Sequence, residues 1–258
     1  MSRTEQLIPV LKKLRLSGVL QTMDLRTRQA AEDSLPFEDF LHLLLADEVE
    51  RREAKQLFLR LRRAQFDQDK TLEDFDFSFN PKIPKARVVE LCAGHFVEKR
   101  ENVLLIGPSG VGKSHIAQAI GHRACRAGYN VLYQPARRML SELRASRADG
   151  SLERRMLRYT TPELLILDDL GLQPLRQDEP EDLYEVIRQR YERGAMVITS
   201  NRAVEEWYPL FGEPLMASAA MDRLLHHAHI IEMPGHSYRN PPRPTKAVAL
   251  PKEKAAEA

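Results

Sequence analysis

The chain has 258 residues, and its 39 lysines and arginines stand against 37 aspartates and glutamates, a formal net charge of +2 with 29% of residues charged. That balance excludes a uniformly basic nucleic-acid coat, and at 43% hydrophobic the composition is that of a folded protein long enough to bury a sizeable core without disulfides. Cys92 and Cys125 form no CxxC or metal-ligand spacing, Lys12, Lys13 and Arg15 interrupt the N-terminal apolar residues, and no uncharged apolar run reaches membrane-spanning length, so the expectation is a cytoplasmic protein with no membrane partner.

Residues 1–66 are rich in Leu, Arg, Glu and Gln, with one glycine, Gly18, and two prolines, Pro9 and Pro36, and read as a small all-helical N-terminal domain. From Ser34 the string SLPFEDFLHLLL predicts a helix with Ser34 as N-cap, a proline in its first turn and early acidic residues that neutralise the free N–H end. Further on, RREAKQLFLRLRR at 51–63 places Arg51, Arg52, Lys55, Arg62 and Arg63 within an arc of about 120° at helical spacing. Ala54, Leu57, Phe58 and Leu61 fill a separate arc. A cationic face beside an apolar seam suits a helix docked on a domain and facing DNA phosphates; the solvated face of an ordinary amphipathic helix has the same pattern. Extrapolated back, this phase puts Leu41, Leu44 and Leu45 on the basic arc, so the helix is expected to break near 46–50 or to change partner there.

Residues 67–100 read as a linker and entry to the core, and DQDKTLEDFDFSFNPKIPKAR at 67–87 as an ordered connector docked by its aromatics. Beyond residue 100, short apolar runs alternate with amphipathic helical segments, the pattern of a parallel α/β sheet. Strands are expected at Val103–Gly107, Asn130–Gln134, Leu164–Asp168, Met196–Ser200 and His229–Glu232, with helices near 113–127, 137–147, 151–159, 180–193 and 214–227. Together they make one doubly wound α/β domain over 101–240, followed by a disordered, proline-rich tail at 241–258. Arg137, Arg138, Arg144 and Arg147 are spaced for a shared helical side and offer a second phosphate-contacting surface.

Gly107-Pro108-Ser109-Gly110-Val111-Gly112-Lys113-Ser114 matches GxxxxGK[ST], directly after the strand NVLLI and before a helix that begins Ser114-His115. In such a P-loop the backbone N–H groups cradle phosphate, Lys113 reaches the β and γ oxygens of ATP, and the Ser114 hydroxyl ligates Mg²⁺. The apolar strand LLIL ends in Asp168 and Asp169. At the exposed end of a buried strand, Asp168 would hold Mg²⁺ through water and Asp169 would orient the attacking water; as an alternative, both cap the following turn. The water-activating position more often carries Glu, and the shorter Asp predicts slow hydrolysis. Asn201, after the strand AMVITS, is placed to meet the γ-phosphate or the lytic water. Arg223 could serve as a finger in a neighbouring subunit's nucleotide site or form an Asp222–Arg223 surface pair. Trp207 and Tyr208 are expected to anchor a helix on the sheet.

With these motifs go KTLEDFDF at 70–77, ENVLLIGPSGVGKSH at 101–115, ACRAGY at 124–129, RADGSLER at 147–154, LDDLG at 167–171, ITSN at 198–201, DRLLHHAHIIE at 222–232 and GHSYR at 235–239. On these strings the chain resembles the IstB-like ATP-binding proteins of insertion sequences, relatives of the DnaC helicase loaders in the AAA+ class. The resemblance covers roughly residues 5–240. It implies an AAA+ core behind an N-terminal helical region and ATP-dependent assembly into rings or helical filaments on duplex DNA. It also implies help to a cognate transposase in target-site selection, with Lys113, Ser114, Asp168, Asn201 and Arg223 in the Walker, sensor and finger roles. A helical lid with a second sensor arginine is not expected, because the residues after 235 are too few and too proline-rich; Arg239 is left as a candidate contact to nucleotide or DNA. The rivals are a helicase loader, a small-molecule kinase and a module that uses ATP only structurally.

Overall fold

A computed structural model describes residues 3–67 and 70–240; the expected disordered tail at 241–258 lies outside the described residues. Three helices come first: α1 (Arg3–Lys13), α2 (Ser17–Glu32) and α3 (Phe37–Ala64). Val19 and Met23 of α2 meet Leu44 of α3 in a small core, with Leu11, Leu16 and Phe40 against it. The two helices touch at Gly18, where a Cβ would lie 2.7 Å from Glu48 Cα. The buried Glu48 carboxylate accepts the Gly18 N–H at 2.5 Å and Arg52 Nε at 2.6 Å, which compensates its loss of water.

Helix α3 departs from the sequence reading at its start. Ser34 sits in a left-handed turn at φ +51 and does not cap it; the helix begins after Pro36, and its N-cap position makes no side-chain hydrogen bond. The proline disfavours helical backbone at Leu35, so the helix can start only beyond it. Nor does the helix break at 46–50. It runs for 28 residues, a span of about 42 Å, and changes partner instead. Leu44 faces α2, while Leu57, Leu61 and Ala64 pack on the ATP-motif domain. Ala54 and Phe58, expected in the apolar seam, are exposed, Phe58 by 62%.

After α3 come two short helices that the composition of the linker hides, α4 (Lys85–Cys92) and α5 (His95–Lys99). They bury Val88, Leu91, Phe96 and Val97 in the same core as the last turns of α3. The sheet-bearing part follows in the order β1 (Val103–Ile106), α6 (Lys113–Arg126), β2 (Val131–Pro135), α7 (Ala136–Ala148), α8 (Leu152–Thr160), β3 (Leu164–Leu170), α9 (Glu179–Arg190), β4 (Ala195–Ser200), a 3-10 helix (Val204–Phe211), α10 (Pro214–Leu225) and β5 (His229–Glu232). The strands stand in the order β2-β3-β4-β1-β5, every pair parallel. This is the five-stranded α/β architecture expected of an AAA+ P-loop core. Alternate residues point to opposite faces: Leu104, Leu165, Leu167, Met196 and Ile198 pack under α7 to α10, whereas Val103, Leu105, Ile166 and Val197 pack under α3 to α6. Both faces are covered, which is why each strand reads as an unbroken apolar run. Trp207 is fully buried in the first face, whereas its neighbour Tyr208 is 46% exposed. Among the described residues no helix follows β5, and none is long and apolar enough to cross a membrane.

Candidate nucleotide site

The parallel sheet brings the ends of β1, β3 and β4 to one edge, where ligands of open α/β sheets bind. Residues 107–112 turn there between β1 and α6, and the α6 N-terminus aims its free N–H groups into the turn. Gly112 closes the turn at φ +105 with the Phe75 ring against it: a Cβ would lie 2.5 Å from the ring edge. Val111 puts its side chain in the core, whereas Ser109, Gly110 and Ser114 line a cleft of about 450 Å³. Lys113, only 5% exposed, donates to the Pro108 carbonyl at 2.8 Å and to Asn201 Oδ1 at 2.6 Å. The ammonium is thus held on protein oxygens in the space where phosphate oxygens would compete for it. Burial lowers its pKa, Arg239 adds to the fall, and Asp169 and Asp168 oppose it.

The two carboxylates lie on an irregularity of the sheet. The β3–β4 register shifts between Leu167 and Leu170, and Asp169 sits in left-handed backbone at φ +58. Its N–H donates to Thr199 Oγ1 at 2.9 Å instead of to the ladder. The kink sets Asp169 on the cleft and leaves Asp168 buried just behind it. Asp168 is buried and accepts the Thr199 hydroxyl at 2.5 Å and the Tyr133 phenol at 2.6 Å. Burial and the neighbouring Asp168 raise the Asp169 pKa, opposed by Lys113 and Arg239. Tyr133 and Thr199 carry no motif, and only strand pairing brings them to the acid. Hard oxygen donors, the Ser114 hydroxyl and the Asp168 carboxylate, suit Mg²⁺.

The far walls of the cleft come from distant sequence. The connector supplies Phe75, Phe79 and Asn80, and the stretch after β5 supplies Tyr238 and Arg239. Tyr238 N–H donates to the Gly110 carbonyl at 2.9 Å, its ring meets Phe79 edge-on, and Asn80 bonds both the N–H and the C=O of His236. The connector is docked by its aromatics, Phe75 lying edge-on to both Phe77 and His115. The His115 ring is committed to that docking through the Thr71 carbonyl at 2.7 Å. Arg239 lies on the nucleotide cleft.

Arg223 lies elsewhere. It lines a separate cavity with Asn102 and Met196, at the starts of β1 and β4, and the Asn102 amide donates to Leu224 O at 3.0 Å. This is the opposite edge of the sheet from Lys113. Instead of pairing with Asp222, Arg223 donates to Ala219 O at 2.7 Å and stands over the Tyr184 and Tyr191 rings at 5.8 and 5.9 Å.

The basic residues also divide. Arg51 is half-buried, Lys55, Arg62 and Arg63 are exposed, and Arg52 is tied to Glu48. On α7 the cations are engaged locally: Arg137 with Gln173, Arg138 with Glu142, Arg144 with Glu179 and Arg147 with Asp182. They do not form a free arginine face. A feature without a motif stands out instead, an open groove of about 480 Å³ in which Arg60 and Arg63 of α3 face Arg154 and Arg158 of α8. Glu142 takes up Arg158 and Arg155, leaving an excess of positive charge.

Comparison with known proteins agrees with this architecture. Residues 9–245 match the family described as IstB-like ATP binding protein. A Mycobacterium tuberculosis protein described as ATP-binding in an insertion sequence is 43% identical over 240 residues, covering 93% of this chain and 96% of its own. The IS21 ATP-binding protein of Pseudomonas aeruginosa is 36% identical, covering 89% of this chain and 87% of its own. Among solved structures, DnaI superposes with a TM-score of 0.56 at 21% identity, covering 64% of this chain and 91% of its own. The DnaC helicase loader follows with a TM-score of 0.54 at 16% identity, covering 64% of this chain and 97% of its own. These two share the fold of the sheet-bearing part.

Proposed function

Because the chain belongs to the IstB-like ATP-binding protein family, we propose that it is an ATP-hydrolysing switch that assembles copies of itself on duplex DNA and assists the transposase of an insertion sequence. One observation carries this reading: Lys113, Asp169 and Asn201 line one cleft with the buried Asp168 directly behind Asp169, while Arg223 stands at the opposite edge of the same sheet. An arginine so placed cannot reach its own nucleotide and is available to a neighbour's, so a complete site needs two copies.

In this mechanism Lys113 exchanges the Pro108 and Asn201 oxygens for β and γ oxygens of ATP, and the backbone N–H groups of 109–114 hold the phosphates. Releasing the ammonium frees Asn201 to meet the γ-phosphate or the attacking water. Asp169, on the cleft beside Asn201, orients that water. The Ser114 hydroxyl and the Asp168 carboxylate would hold Mg²⁺, which would supply neutralisation of phosphate charge. Arg223 of a neighbouring copy adds a positive charge as the terminal phosphate leaves. Asp is one methylene shorter than Glu, so turnover is slow. Phosphate groups of DNA are taken by the α3–α8 groove together with Lys55 and Arg62, contacts that position without reading sequence.

The two insertion-sequence relatives are 43% and 36% identical over about nine-tenths of the chain, whereas DnaC shares only the fold at 16% identity, which favours transposition over helicase loading. The test is phosphate release with and without duplex DNA, run beside electron microscopy in ATP and in ADP. DNA should stimulate release, ATP should give ordered assemblies on DNA, and Lys113→Ala should lower hydrolysis by roughly 10²-fold or more. Release that DNA leaves unchanged, with no nucleotide-dependent assembly, would refute the switch. For the groove, Arg63→Glu with Arg154→Glu should weaken binding to every sequence alike and reduce the salt slope by about 2.

A further inference from the structure

Helix α3 ends within three residues of the Walker-type carboxylate's own hydrogen-bond network. After Ala64 the chain turns at Gln65, with φ +59, and Phe66 stacks on His122 with ring centroids 4.3 Å apart. The Phe66 ring also lies 6.3 Å from that of Tyr133, which fixes where the next residue must go. That residue is Asp67, and its Oδ2 stands 3.1 Å from the Tyr133 hydroxyl. The same hydroxyl stands 2.6 Å from Asp168 Oδ2. Burial and the two carboxylates push the Tyr133 pKa far up, so the phenol keeps its proton.

A phenol carries one proton, and two carboxylates compete for it. Given to Asp168, the proton occupies an oxygen of the acid that would hold Mg²⁺ and draws off part of its charge. Given to Asp67, it leaves Asp168 with the Thr199 bond alone and more charge for a cation. Which acceptor wins depends on where Asp67 is held, and Asp67 is held by the end of α3. We propose that Tyr133 is a positioning residue that passes the placement of α3, through Asp67, to the Asp168 carboxylate and so tunes the affinity of the nucleotide site for Mg²⁺. This rests on the nucleotide-site reading above. It gives α3, whose last turns carry Arg60 and Arg63 into the basic groove, a direct path to the chemistry.

The experiment is the Mg²⁺ concentration giving half-maximal binding of a fluorescent ATP analogue to the full chain, for wild type, Asp67→Asn, Tyr133→Phe and the double variant. The shorter bond already goes to Asp168 and Asp67 takes a share of the proton, so Asp67→Asn leaves it to Asp168 alone and should raise the Mg²⁺ requirement about threefold or more. In the Y133F background the same substitution should change it by less than about 1.5-fold, because no proton remains to redirect. An equal shift in both backgrounds, or none in either, overturns the relay even if melting temperatures fall, since a merely structural bond would lower stability and leave the Mg²⁺ requirement alone. Wild-type binding that ignores Mg²⁺ altogether overturns the site reading itself, and the relay with it.

Discussion

The N-terminal helices and the sheet-bearing part are held together by different means. In the latter, two faces of one sheet bury large side chains such as Trp207, Tyr159, Phe211 and Met139, and burial supplies the driving force. In the former, among the described residues, three buried apolar side chains, Val19, Met23 and Leu44, form a small core with Leu11, Leu16 and Phe40 against it, while Leu25, Phe37, Leu41 and Val49 stay exposed. Its definition comes from close approach at Gly18 and from two polar locks, Glu48 with Gly18 and Arg52, and Arg26 with Asp47. A region defined by geometry and charge can be displaced by a partner at low cost, whereas a doubly covered sheet keeps its site rigid.

Substitutions in the two regions should therefore be felt separately. Trp207→Ala removes the largest buried side chain beneath the 3-10 helix and should cost about 3–5 kcal/mol in calorimetric unfolding of the sheet-bearing part. Amide exchange in α1 and α2 should be left as it was; loss of protection in both regions together would show that they unfold as one unit. Gly18→Ala forces a Cβ against Glu48 Cα and the Asp47 carbonyl and should cost about 1–3 kcal/mol. Exchange should then rise in Ser17–Glu32 while ATP affinity stays at the wild-type value, because Leu57, Leu61 and Ala64 anchor the last turns of α3 on the sheet-bearing part; a fall in ATP affinity would mean that the strain travels the length of α3 to the nucleotide site.

The smallest effect concerns acid. Hydrogen bonds from Arg26 and Thr22 hold Asp47 at about 2, below the ordinary 3.8, so the lock's contribution is complete above the higher value and is lost as pH falls through the lower one. Asp47→Asn should be less stable than wild type at pH 6, and the gap should close toward pH 2. A gap independent of pH would assign the loss to packing and not to the ion pair.

Where both partners of a pattern are local, the reading from sequence and the structure coincide. The five strands fall within two residues of their expected bounds because each is an apolar run closed by turn residues. Gly107 to Gly112 form a loop between strand and helix for the same reason. The start of α3 was misplaced because a serine before a proline looks like a cap, although the proline itself delays the helix to Phe37. Periodicity set the phase of α3 but not its neighbours: Leu57 and Leu61 found the core, and Phe58 and Ala54, only one position round the helix or one turn back, did not. Helices α4 and α5 are not legible in the sequence because a proline- and acid-rich linker precedes them and masks their short apolar stripes.

By itself, the sequence determined an α/β P-loop protein with helices in front, because phosphate-binding glycines, a following lysine and apolar strand runs are local requirements of backbone geometry and burial. Tertiary structure alone decided what surrounds the chemistry. Tyr133 and Thr199 reach Asp168 only through strand pairing, the cleft is walled by residues 75–80 and 238–239 only because both segments lie across the same loop, and Arg223 faces away from Lys113 only because parallel strands put their starts and ends at opposite edges. Such contacts join residues far apart in the chain, where no spacing rule applies and only the fold sets the distance.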